Sequence, residues 1–266
     1  MSPIVLKMPK LNSPRAWKRA DLENDSSWIY PLSEQEIQDL EMGLRAALAT
    51  GKSEFELSAS DFPVTPLTDK LLKTVMNATQ SNYGVCLVKG FPVDRWTAEQ
   101  MRTLFWCMGL RCGVPRPQGK PSHFVSNVRD DGGVYRSGTG RGYNTNSKLD
   151  FHSDGSDVVG LMCLQVAKSG GSSLISSSMT AFNELQKVRP DLAEVLQQPF
   201  YFGRQGEQAE EEPPYYQASI VGFKNGQFAC RHIRNHIIGA QISFPEVPRL
   251  TPLQTEALDM FDALLA

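Results

Sequence analysis

Histidine is scarce in this sequence: His123, His152, His232 and His236 are the only four among 266 residues, so any metal centre that uses imidazole must draw on them. Excess charge is missing too. With 27 basic and 29 acidic side chains the formal net charge is −2, which leaves no basic footprint for a nucleic-acid partner. No segment approaches the roughly 20 apolar residues that a bilayer-spanning helix needs, so no membrane partner is expected. The five cysteines, at 86, 107, 112, 163 and 230, are odd in number, lack CxxC spacing and sit mostly in apolar surroundings. They read as buried thiols of a reducing compartment. Internal repeats and low-complexity stretches are absent. The first 20 residues hold Lys7, Lys10, Arg15, Lys18 and Arg19 without an acid, a faint likeness to a mitochondrial presequence. Their apolar stretch is too short and interrupted for a secretory signal. A cytoplasmic location is expected, with mitochondrial import as the alternative. The length suits a single domain over residues 1–266.

What is present begins with scaffold. Ser33-Glu34-Gln35-Glu36 is a capping box, and Ile37, Leu40, Leu44, Ala47 and Leu48 follow at helical spacing until Gly51. Leu67, Leu71, Leu72, Val75 and Met76 predict a second amphipathic helix, and the alternating, β-branched YGVCLVKGF after it predicts a strand. Thr97 and Gln100 open a third helix that carries Met101, Leu104, Phe105 and Met108 on one face and ends at Gly113. Residues 115–143, rich in Gly, Pro, Ser and Arg, read as a long loop of the kind that is functional or disordered. Further on, the pattern predicts a helix from about Thr180 to Val188, another after Pro190, a strand at PFYFGR and a hairpin at SIVGFKNGQFACRHIR turning on Asn225-Gly226. That strand is expected to run on through ACRHIRNHII. GEQAEEEPPYY between them reads as a solvated acidic loop, or else as a lid to which Tyr215 and Tyr216 bring contact area.

The chemistry concentrates between Lys148 and Gly171, in KLDFHSDGSDVVGLMCLQVAKSGG. In an extended strand alternate side chains share a face, so Asp150, His152 and Asp154 can point into one cavity while Phe151 and Ser153 point away. The apolar run VVGLMCLQVA after Gly155 reads as a buried strand. Three readings of the polar turn compete. A calcium loop matches at Asp150, His152, Asp154 and Gly155 but has Leu161 where the bidentate carboxylate belongs. A plain polar turn would use its carboxylates to cap backbone N–H groups. The third reading is one nitrogen and one oxygen ligand of a two-histidine, one-carboxylate facial triad on non-haem iron.

RGYNTNSKLDFHSDGSDVVGL followed by AKSGGSSLISS resembles the taurine dioxygenase (TauD/TfdA-like) family of Fe(II)- and 2-oxoglutarate-dependent dioxygenases. The similarity extends from about Trp17 through WIYPLS, the GFPVD turn at Gly90 to Asp94, VRPDLAEVL, PFYFGRQGE, the PYY at 214–216 and VPRLTPLQTEALD. It implies a mixed α+β fold, a double-stranded β-helix (jelly roll, clavaminate synthase-like) with flanking helices. It implies Fe(II) as cofactor, with His152 and Asp154 as ligands, and 2-oxoglutarate as cosubstrate, with Ser173 hydrogen-bonding it. The partner would be a small-molecule substrate, a biosynthetic or catabolic intermediate that is hydroxylated or otherwise oxidised, and Asn146, Phe151 and Tyr215 are the candidates to touch it.

Family members carry a distal histidine ligand and a 2-oxoglutarate arginine in strands downstream of the helix that Thr251 begins here. The sequence stops at Ala266 inside that helix, without a Gly or Asn cap. The resemblance therefore implies missing final strands, exposed edges through which the chain associates, and little 2-oxoglutarate turnover as written. Arg231 and Arg234 are the nearest substitute cations, and His232 or His236 the nearest substitute ligands. The blander reading of the two histidines is aromatic-like packing with a polar edge. The alternative to an oxygenase is a non-catalytic relative that binds a metabolite or a partner protein.

Overall fold

The computed structural model describes residues 10–118, 123–135, 142–224 and 226–266. The described residues of segments 17–117 and 158–173 form one compact unit, and those of 1–16, 118–157 and 174–266 form another.

The first of these units starts with the short helix α1 (Arg19–Asn24) and is built on α2 (Glu34–Ala49), α3 (Pro66–Gln80) and α4 (Ala98–Cys112). The capping box works as its spacing predicts: Ser33 Oγ accepts from the Glu36 N–H at 3.3 Å while Glu36 Oε2 accepts from the Ser33 N–H at 2.8 Å. Thr97 and Gln100 open α4 by the same reciprocal pair. The apolar stripes meet as expected, with Leu40, Leu44, Leu71, Met101 and Leu104 fully buried. Asp39 is buried on α2 because it caps α3, accepting from Thr65 Oγ1 at 2.5 Å and the Thr68 N–H at 3.2 Å. Strands β1 (Ile29–Pro31) and β2 (Leu87–Lys89) pair in parallel at the edge.

The other unit holds α5 (Ser178–Val188), α6 (Pro190–Val195), β3 (Pro199–Gly203), β4 (Tyr215–Ser219), β5 (Val221–Lys224), β6 (Gln227–Cys230), α7 (Arg234–Ser243) and α8 (Pro252–Leu265). Strand β3 pairs antiparallel with β4, and β5 with β6. Phe182, Leu185, Leu192, Phe200, Phe202, Ile220 and Phe261 form its core. Helix α7 crosses β3 so closely that a Cβ at Gly203 would lie 3.3 Å from the Ala240 amide nitrogen. The expected hairpin is present, with Gly226 at φ 75° in the left-handed region its turn requires; Asn225 lies outside the described residues.

Several expectations are corrected. The described strands assemble into three two-stranded sheets, so the α+β character is present while a jelly roll is not seen among them. The run VVGLMCLQVA forms no strand: Leu161 is 73% and Val166 82% exposed, because an apolar run is sheet only where another strand offers it a ladder. The strand through ACRHIRNHII stops at Cys230. Ile233, Ile237 and Ala240 recur at helical spacing, and burial of Ile237 and Ala240 makes the second half α7. Tyr215 and Tyr216 are strand residues of β4, not part of a lid; Tyr216 stacks on Phe202 with centroids 5.4 Å apart. In the long loop, residues 119–122 and 136–141 lie outside the described residues, as does Lys7 at the N-terminus.

Candidate metal centre

The segment around His152 belongs to no helix or ladder, yet it is fastened at one residue. Ser153 donates its amide hydrogen to the His232 carbonyl at 2.9 Å, its Oγ accepts from the His232 N–H at 2.8 Å, and the same hydroxyl donates to the Cys230 carbonyl at 3.1 Å. Arg231 N–H donates to the Ile220 carbonyl at 2.7 Å, so residues 230–232 continue the β5–β6 hairpin and Ser153 borders that continuation. Alternation does the rest. Phe151 packs against the core and Ser153 faces residues 230–232, while the side chains of His152 and Asp154 stay 39% and 54% exposed.

His152 Nδ1 lies 2.7 Å from the Asp150 carbonyl oxygen. A carbonyl only accepts, so Nδ1 carries the hydrogen and the Nε2 lone pair is left to a ligand. That Nε2 is 3.9 Å from Asp154 Oδ1. Metal–nitrogen and metal–oxygen bonds of about 2.1 Å can bridge donors up to about 4.2 Å apart, so one ion reaches both. A right-angled pair needs about 3.0 Å, which rotation of the exposed Asp154 side chain supplies. The tautomer and the donor set therefore fit a transition metal at two positions. Asp150 contributes its carbonyl, and its carboxylate accepts from the Tyr135 hydroxyl at 3.3 Å.

The other predicted residues lie elsewhere. The His232 ring is buried edge-on against Phe261, with Nε2 2.5 Å from Asp262 Oδ1, and so has the aromatic-like packing with a polar edge expected of it. Arg234 donates to Asp262 Oδ2 at 2.8 Å and Asp259 Oδ1 at 2.6 Å. Arg231 donates to the Tyr216 hydroxyl at 3.1 Å, with its guanidinium carbon 5.8 Å from that ring centroid and the Arg204 guanidinium 4.9 Å from it. His236 is on α7, and His123 is exposed in irregular chain. Ser173 and Asn146 are exposed, and Tyr215 sits between Tyr201 and Phe244. Among the described residues no group of three or more His, Cys, Asp or Glu converges as a metal site. Burial pushes the Cys230 thiol up to about 12; Cys163, in contrast to the expected burial, is exposed. Hollows beside α8 and beside β3 are lined by neither His152 nor Asp154.

The residues that the sequence did not single out are Ser153 and Asp262. Ser153 was visible only as the middle of His-Ser-Asp, and Asp262 only as one acid of an amphipathic helix.

A family model for the taurine catabolism dioxygenase TauD, TfdA family matches residues 47–266. FR-33289 synthase of Streptomyces rubellomurinus is 30% identical over 266 residues, covering 98% of this chain and 76% of that protein. A taurine hydroxylase-like protein of Stachybotrys chartarum is 25% identical over 260 residues, covering 94% of this chain and 66% of that one.

Proposed function

Because this chain belongs to the taurine catabolism dioxygenase (TauD, TfdA) family, we propose that it is an Fe(II)- and 2-oxoglutarate-dependent oxygenase of a small molecule, with His152 and Asp154 as two of the iron ligands. The observation that carries this is the placement of the His152 ring, with Nδ1 2.7 Å from the Asp150 carbonyl oxygen, to which it can only donate, and Nε2 3.9 Å from Asp154 Oδ1. The double-stranded β-helix implied by the family belongs to the same proposal. When bound, iron and 2-oxoglutarate supply the oxidising chemistry, in which O₂ and 2-oxoglutarate become CO₂ and succinate as a C–H bond of the substrate is oxidised.

The chain's own residues position these groups. Asp150 holds the imidazole hydrogen on Nδ1, and Ser153 holds the segment. Of the two candidate cations, Arg234 is neutralised by Asp259 and Asp262, whereas Arg231 pairs with a neutral phenol and keeps its charge for the far carboxylate of 2-oxoglutarate. From the resemblance alone, Ser173 is the proposed hydroxyl donor to 2-oxoglutarate. Asn146, Phe151 and Tyr215 remain the candidates for substrate contact, Phe151 being partly buried against the core. The names of the two relatives, a synthase and a hydroxylase-like protein, accord with oxidation of a biosynthetic or catabolic intermediate.

The test is succinate formation from 2-oxoglutarate by purified protein with Fe(II) and ascorbate, lost in His152→Ala and in Asp154→Ala. A second reading, a relative that binds a metabolite or partner without turnover, is favoured by the engagement of His232 with Asp262 and of Arg234 with two carboxylates. Saturable 2-oxoglutarate binding with no succinate would select it.

A further inference from the structure

The structure assigns a positioning role to Ser153, the residue between the two proposed ligands: its amide and hydroxyl clasp the ligand segment to residues 230–232 and so set the face from which His152 and Asp154 meet one ion. This deepens the reading of His152 and Asp154 as metal ligands and rests on it. In extended chain neighbouring side chains point to opposite faces, so the rotation of the segment about its own axis is decided by whichever residue is tied down. Ser153 is tied by three hydrogen bonds of 2.8–3.1 Å. His152 and Asp154, half-exposed, do not fix the segment themselves.

The anchor is firm. His232, which supplies two of the three bonds from its backbone, is buried, packs edge-on against Phe261 and is held at Nε2 by Asp262, which Arg234 holds in turn. Helix α8 is thereby linked to the ligand segment through His232 and Ser153. The hydroxyl at 153 must accept and donate at once, which alanine cannot do and threonine can.

Co(II) titration of the full chain, followed by visible absorption and calorimetry, tests this. The unaltered chain should bind Co(II) and His152→Ala should not. Ser153→Ala should bind about 10-fold or more weakly, as variants at outer-shell partners of metal ligands generally do, and with a changed cobalt spectrum, while circular dichroism shows it still folded at the temperature of the titration. Ser153→Thr should restore both affinity and spectrum. Co(II) affinity in Ser153→Ala equal to that of the unaltered chain, with His152→Ala still silent, overturns the clasp and leaves the metal reading standing. Failure of the unaltered chain to bind, or undiminished binding in His152→Ala, overturns both. If Ser153→Ala does not fold, the isosteric pair Ser153→Thr and Ser153→Val isolates the hydroxyl, and equal affinity in the two overturns the proposal.

Discussion

Removing the Asp262 carboxylate should destabilise the chain, and removing the His232 ring nitrogens as well should restore part of the loss. The His232 ring is buried, its Nδ1 already lacks a partner, and its Nε2–H is satisfied by Asp262 Oδ1 at 2.5 Å. Asp262→Ala leaves a second buried ring nitrogen unpaired, which costs about 1–3 kcal/mol. It also takes one of two carboxylates from Arg234, a partly exposed pair worth about 1 kcal/mol or less after screening. The expected total is about 1–4 kcal/mol, against an overall stability of about 5–15 kcal/mol. His232→Phe keeps the edge-on contact with Phe261, removes both polar nitrogens and leaves Asp262, one-third exposed, paired with Arg234; it should be close to neutral. In the double variant only the Arg234 contribution is lost. Urea unfolding of the four proteins should therefore place the double variant about 1–3 kcal/mol above Asp262→Ala. A double variant no more stable than Asp262→Ala alone would refute the reasoning, since it would mean the buried imidazole was not the costly partner.

Three further outcomes are expected. Ser33→Ala removes the N-cap acceptor of α2 and should cost about 0.5–2 kcal/mol by the same denaturation assay. Asp61 is held down to about 2, first by its hydrogen bond from Lys52 and then by the Ser58 amide and hydroxyl. A folded-state value below the ordinary 3.8 means that its stabilising contribution is present above that value and is lost as pH falls from 3.8 toward 2, so Asp61→Asn should flatten stability across that window in an acid titration. Leu161 and Val166, exposed in irregular chain, should make the protein associate, and Leu161→Lys with Val166→Lys should shift sedimentation velocity toward monomer at equal concentration.

How much of this was legible follows the range of the interactions. The capping boxes at Ser33, Thr97 and Thr251 are readable because acceptor and donor lie three residues apart, and the helices they open are where their spacing puts them. That His152 and Asp154 share a face away from Phe151 and Ser153 is likewise local, a consequence of alternation around Ser153, but the cavity expected on that face is not found: both side chains are exposed and line neither hollow. The failures are non-local. Residues 158–167 have strand composition, but a strand needs a partner, and composition says what a segment can bury without saying whether a ladder is offered. Arg234 and His236 were read on a strand because the hairpin signal before them is strong; the change of period from two to helical at Ile233 is weak in sequence and is decided by burial of Ile237 against the core.

Ser153 is the sharpest case. Its hydroxyl bonds the amide of a residue 79 positions away, and nothing at either end announces the other. The proposed ligand pair rests on residue types, whereas what aims it does not, because a metal site needs donor chemistry, which is local, and donor geometry, which belongs to the packing around it. Two donors 3.9 Å apart on the ends of exposed side chains would sample many separations if their backbone were free to turn. It is the bond to His232, and through it to Asp262 on α8, that restricts the turn. The proposed ligands come from one short motif, but their aim depends on a helix more than a hundred residues further along.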